Sequence, residues 1–99
     1  NHKTESIIDQ ALFQQAKLFK KKKDYLKAAS NYLAIIENYK DDILADDAYF
    51  YLAELYVKYL QQPEEAKELY EQIIFNYADS IYFVEARKKY RGLRGDDIN

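Results

Sequence analysis

The 99-residue chain has no cysteine, methionine or tryptophan, and only two glycines, one proline and one histidine. Without cysteine there are no disulfides, no thiolate metal ligands and no cysteine nucleophile, and the redox compartment stays open. So little glycine and proline argues against the many tight turns of an all-β fold. No apolar run reaches the roughly 18–20 residues of a transmembrane helix, and no signal-peptide core opens the chain. Direct membrane insertion is therefore not expected. The lack of any Met, position 1 included, reads as an excised piece of a longer protein, which leaves localisation unread. Net charge is only −2, so the chain has no basic footprint and a nucleic-acid partner is not expected.

What is present favours a helical globular domain. Hydrophobic residues make up 48% and charged residues 32%, far from the composition of a disordered chain. Ala, Leu, Glu, Lys and Gln are abundant, and all favour helix.

The chain also repeats itself. "NYKDDI" at 38–43 returns as "NYADSI" at 76–81, and an offset of 38 aligns 28–43 with 66–81. Ala28/Ala66, Tyr32/Tyr70, Ile35/Ile73, Ile36/Ile74, Asn38/Asn76, Tyr39/Tyr77, Asp41/Asp79 and Ile43/Ile81 are identical. Upstream the offset is 37, pairing Ala16 with Ala53 and Phe19 with Tyr56. One extra residue therefore lies within Val57–Pro63. A period of this size marks stacked supersecondary units.

Each unit reads as two antiparallel helices. Ser6 caps a first helix of about 6–21, with Asp9 three residues on and Ile8, Ala11, Leu12, Ala16 and Phe19 at helical spacing. Asp24 caps a second, about 25–39. Asp42 caps a third, about 43–60. Pro63 suits the first turn of a fourth. Ser80 caps a fifth, ending near Gly92. The short aromatic runs "YFYL" (49–52) and "IYFV" (81–84) resemble strands, but the repeat aligns them with helical spacing. The expectation is an all-α chain forming one domain over 1–99. Repeat 1 spans about 6–40, repeat 2 about 42–78, and a terminal capping helix about 80–92. The twice-written phrase is then a junction: Tyr39 and Tyr77 close one hairpin, Asp42 and Ser80 cap the next helix, and Ile43 and Ile81 begin its apolar side.

Ala16, Phe19, Ala28 and Tyr32, then Ala53, Tyr56, Ala66 and Tyr70, resemble the small/aromatic signature of tetratricopeptide repeats over about 11–91. "FNYADS" (75–80) with the longer period resembles the bacterial cell-envelope branch, such as outer-membrane assembly lipoproteins and Tol–Pal-associated proteins. Lys40 and Ala78 depart from the family's usual Pro, and Gln15 from an apolar residue. The resemblance implies a right-handed α-solenoid of antiparallel hairpins, about two and a half repeats in five helices. It also implies a periplasmic or envelope setting.

Little in the sequence reads as chemistry. His2 sits at the terminus. Thr4 and Ser6 open a helix, Ser80 caps one, and Ser30 lies mid-helix without a base. No glycine-rich phosphate loop exists, and no cofactor or metal is expected. Asp41, Asp42, Asp46 and Asp47 cluster, but acidic residues in a first turn suit the helix dipole. Lys20–Lys23 has two readings: a solvated turn at a helix C-terminus, or a patch for an anionic partner such as a phospholipid surface or acidic peptide. Arg87, Lys88, Lys89, Arg91 and Arg94 repeat that ambiguity. The chain is not expected to be an enzyme.

The resemblance implies that the first helix of each hairpin lines a concave groove. Its inward positions are Gln10, Phe13, Lys17, Lys20 and Lys21, then Asp47, Phe50, Tyr51, Glu54 and Lys58, then Glu85, Lys88 and Lys89. Phe13 and Phe50 fall at equivalent places, either as stacked groove anchors or as ordinary core between first helices. The family's carboxylate clamp is not reproduced, since Lys17 and Tyr51 stand where it uses Asn. Two functions compete. One is a non-catalytic interaction module that binds a peptide or helix of a protein partner. The other is a structural end segment of a longer array, or a self-association domain forming a homodimer through exposed end helices.

Overall fold

The computed structural model describes residues 2–38 and 44–95, with side chains from Ile8 onward. Five helices follow one another: α1 (His2–Lys21), α2 (Tyr25–Asn38), α3 (Ala45–Lys58), α4 (Pro63–Asn76) and α5 (Phe83–Arg94). Each packs chiefly on its sequence neighbours, so the body is drawn out to 47 × 30 × 18 Å. No strand occurs among the described residues, and "YFYL" is part of α3. This is an all-α helical-repeat solenoid.

Local chemistry explains the helix ends, and several differ from expectation. α1 starts by His2, which places Ser6 inside the helix instead of at its cap. Serine costs little within a helix, so it does not stop one that Lys3 and Glu5 extend. Asp24 behaves as expected: its Oδ1 accepts the Lys27 N–H at 3.4 Å and its carbonyl accepts the Ala28 N–H at 3.1 Å. Pro63 occupies the first turn of α4. Tyr39, Lys40, Asp41, Asp42 and Ile43, expected at the first junction, lie outside the described residues.

The second junction is resolved. Ser80 Oγ accepts the Tyr82 N–H at 3.0 Å and the Ser80 carbonyl accepts the Phe83 N–H at 3.1 Å. Ser80 thus holds a turn that precedes α5 and does not cap it directly. That turn sends Ile81 outward, 85% exposed, where the repeat predicts the start of an apolar side. α5 also runs past Gly92 to Arg94. The glycine that ends it is Gly95, whose φ of 87° is left-handed and free of a Cβ clash.

The extra residue sits in the second hairpin turn: 22–24 joins α1 to α2, whereas 59–62 joins α3 to α4. Asp24 N–H reaches back to the Phe19 carbonyl at 2.8 Å, and Gln62 N–H reaches one residue further, to the Tyr56 carbonyl at 2.9 Å. Lys23 and Gln61, the equivalent positions, both take positive φ to make these turns.

The signature residues form the interior. Ala16, Ala28, Ala53 and Ala66 have no exposure, and Tyr32 and Tyr70 almost none. Alanine at a crossing lets helix axes approach near the lower end of about 8–10 Å, and each buried tyrosine fills the space opened beside it. Ile35, Leu52, Leu55 and Ile73 complete two core clusters, which Tyr56 and Leu69 bridge. Gln15, at the position equivalent to buried Leu52, is exposed. Its Oε1 accepts from Asn31 Nδ2 at 3.2 Å, tying α1 to α2.

Candidate binding groove

Lys17, Lys20 and Lys21 lie on one face of α1, at the i, i+3 and i+4 spacing that makes neighbours on a helix. They wall a cavity of about 440 Å³ with Tyr32 of α2 and Tyr51 of α3. None of the three lysines is ion-paired to another described residue. Instead Lys17 Nζ stands 5.2 Å from the centre of the Phe13 ring, and Lys20 Nζ 6.0 Å from that of Tyr59.

Behind the lysines runs a column of rings. Phe13 packs on Tyr32 at 5.6 Å and on Tyr51 at 5.7 Å. Tyr51 packs on Phe50 at 6.0 Å and Tyr82 at 5.9 Å. Phe50 stacks on Tyr82 at 4.5 Å and meets Tyr70 edge-on at 5.9 Å. Edge and offset contacts of this kind add about 0.5–1.5 kcal/mol each beyond area burial. Burial, with the neighbouring Tyr51, pushes the Tyr32 hydroxyl up to about 12, so it stays neutral.

A polar branch crosses the column. Asp47, in the first turn of α3, accepts a hydrogen bond from the Tyr82 hydroxyl, and the Tyr82 and Tyr51 hydroxyls lie 3.4 Å apart. Burial holds the Asp47 carboxyl above its ordinary value; the Tyr82 bond and Lys17 oppose this, and Asp46 adds to it. In the folded state the charge is therefore penalised at neutral pH, and the penalty disappears as pH falls through the raised value. Asp47→Asn keeps an oxygen for Tyr82 and removes the penalty. It should melt above wild type near pH 7, by calorimetry, with the gap closing towards pH 3. A gap that stays constant with pH would contradict this account.

A second cavity, of about 170 Å³, lies between α3 and α5 over α4, with Glu54, Val57, Lys58, Tyr70, Lys89, Gly92 and Leu93 at its walls. Glu54 is its hub. It accepts from the Tyr70 hydroxyl at 2.7 Å and pairs with Lys58 at 2.9 Å and Lys89 at 3.3 Å. Burial alone would raise its carboxyl. The bonds from Tyr70 and Lys58 and the charges of Lys89 and Lys58 outweigh it, and the net shift is downward.

The residues read from the sequence are thus brought together unevenly. Lys17, Lys20, Lys21 and Tyr51 meet at the first cavity; Glu54, Lys58 and Lys89 meet at the second. Asp47 joins them through Lys17 and Tyr82. Phe13 is core, only 7% exposed, and Phe50 is half-buried. The two rings do not stack directly; each packs on Tyr51. Gln10, Glu85 and Lys88 are exposed and line neither cavity. Tyr32 and Tyr70, which line the cavities, and Tyr82, which packs on Phe50 and Tyr51 behind them, are not among the groove residues the sequence points to. The first two are marked by the repeat as gap-filling aromatics, and Tyr82 carries no repeat signal, since Leu44 stands 38 positions before it.

Among the described residues no group of three His, Asp or Glu side chains is gathered as a metal site, and no helix is long and apolar enough to cross a membrane. A family model described as "Tetratricopeptide repeat" matches residues 10–42 and 47–80. No curated protein is similar enough to be matched.

Proposed function

The chain belongs to the tetratricopeptide repeat family, a family of protein-binding helical scaffolds, and from that premise we propose that it is a non-catalytic module holding an extended segment of a protein partner in its groove. The observation that carries the reading is that Tyr51 at the first cavity and Glu54 and Lys58 at the second share one face of α3, at i, i+3 and i+7. The two cavities therefore follow one groove, with Lys17, Lys20 and Lys21 at one end and a packed aromatic column behind. A packed wall of this kind loses little entropy on binding. An envelope setting rests on the likeness of Phe75–Ser80 to cell-envelope members, and fractionation of the source cell tests it.

Because the chain has no cysteine, one introduced thiol gives a unique handle. Val57→Cys places a photo-cross-linker at the second cavity, and Glu68→Cys places one on α4, exposed and lining neither cavity. In an extract of the source cell, a protein joined to position 57 and not to position 68 supports the groove. The same products from both positions, or none from position 57, would overturn it. One observation favours the second reading, self-association: Phe75, Ile81 and Val84 are 73%, 85% and 71% exposed at the turn between α4 and α5. Products joining two copies from position 68, which shares a face of α4 with Phe75 seven residues on, would favour that reading over the first.

A further inference from the structure

We infer that the first cavity takes an extended acidic segment of the partner, with carboxylates on alternate residues facing Lys17, Lys20 and Lys21. This deepens the groove reading and rests on it. The chain is net negative, yet one wall of this cavity consists of three lysines without an ion-pair partner among the described residues. Lys22 and Lys23 continue the positive charge into the exposed turn. Among the described residues the carboxylate that acts on this wall is Asp47, with Asp46 beside it. Asp47 is half-buried and engaged by Tyr82, and it tempers Lys17, while neither Lys20 nor Lys21 is ion-paired to a described residue. An acidic chain is thus drawn to this wall, which sets its position as well as its attraction.

Spacing narrows the ligand further. Lys17 and Lys21 are four residues apart, about 6 Å along the helix axis at 1.5 Å per residue. In an extended peptide, residues i and i+2 are separated by about 6.6 Å and point the same way. A Glu-X-Glu pattern therefore matches the lysine row, with the carboxylate stems lying across the Tyr32 and Tyr51 rings. A single terminal carboxylate would engage one end of the row only. A flat bilayer cannot reach the tyrosines at the back of a concave wall.

The probe is a fluorescein-labelled, C-terminally amidated (Glu-Thr)4 peptide, followed by fluorescence polarisation. Wild type should bind it saturably, at least about tenfold more tightly than (Gln-Thr)4, with affinity falling as salt rises. Lys17→Gln/Lys20→Gln/Lys21→Gln should weaken binding about tenfold, the combined effect of three partly exposed pairs. Lys22→Gln/Lys23→Gln should change it less than about twofold. All five lysines are exposed, so circular dichroism should report both variants folded. Equal weakening by the two variants would reduce the attraction to diffuse charge and overturn the assignment. So would binding that requires a free C-terminal carboxylate, or displacement of the peptide by phosphatidylglycerol vesicles. If (Glu-Thr)4 does not bind while position 57 still cross-links a partner, the acidic chemistry fails and the groove stands; if neither occurs, both fall.

Discussion

Phe13→Ala is expected to lower the stability of the chain by about 3–5 kcal/mol, the range for removing a buried aromatic ring. For a domain of this size that is a fall in melting temperature on the order of 20 °C. The ring is 7% exposed and lies edge-on to Tyr32 and tilted on Tyr51, so its removal opens a void at the contact of α1, α2 and α3 together. None of these helices slides easily into it, because Ala16, Ala28 and Ala48 already hold close crossings. Phe50→Ala is expected to cost roughly half as much, since that ring is half-buried and keeps one side to solvent. Thermal melts followed at 222 nm measure both. A Phe13→Ala melt within a few degrees of wild type would mean the ring is a groove element and not part of the core. The consequence for function is practical: loss of binding in a Phe13 variant would report lost structure, so groove substitutions belong at the lysines.

The fold was legible because packing repeats. Alanine at a helix crossing and an aromatic beside it are required wherever two hairpins meet, so Ala16/Ala53 and Tyr32/Tyr70 recur at fixed offsets and mark five helices without any structural input. The groove was legible only in part. Phe13, Lys17, Lys20 and Lys21 share one face of α1, and spacing alone cannot say which of them turns down into the core. That is decided by Tyr32 and Tyr51, which arrive from other helices and cover Phe13 while leaving the lysines outside. Tyr82 escaped notice because it comes from the turn between hairpins, where the chain path and not the repeat sets direction. The same turn explains Ile81: Ser80 bonds the Tyr82 N–H, rotating Tyr82 inward and its neighbour out. Gly92 and Gly95 look alike in sequence as helix ends. Only the helix's own last turn decides which of them takes the left-handed conformation, and α5 has its last turn at Arg94.

Glu54→Ala is expected to cost about 2–3 kcal/mol, and Tyr70→Phe in the same chain to cost nothing further. Tyr70 is 1% exposed and its hydroxyl donates to Glu54. Removing the acceptor strands a buried O–H, which costs about 1–3 kcal/mol. The two lysine pairs add less: the Lys58 side chain is 54% exposed and that of Lys89 36%, where ion pairs contribute about 0.2–1 kcal/mol. Replacing Tyr70 by Phe deletes the stranded donor, so the double variant should be at least as stable as Glu54→Ala alone, with a coupling of about 1–2 kcal/mol in urea unfolding. Effects that add to within about 0.5 kcal/mol would show that the hydroxyl finds another partner and that Glu54 is not the hub. Acid gives an independent check. The Glu54 carboxyl is held below its ordinary value, so its contribution is complete above the unfolded pKa and is lost as pH falls through the lowered folded value. The penalty of Glu54→Ala should shrink in that window. The wider point is geometric. Through Tyr70 and Lys89 this one carboxylate ties α3 both to its hairpin partner and to the first helix of the next unit. Alanine crossings set how closely helices approach; a directional bond of this kind fixes the stagger of one hairpin on the next, and with it the width of the groove a partner would enter.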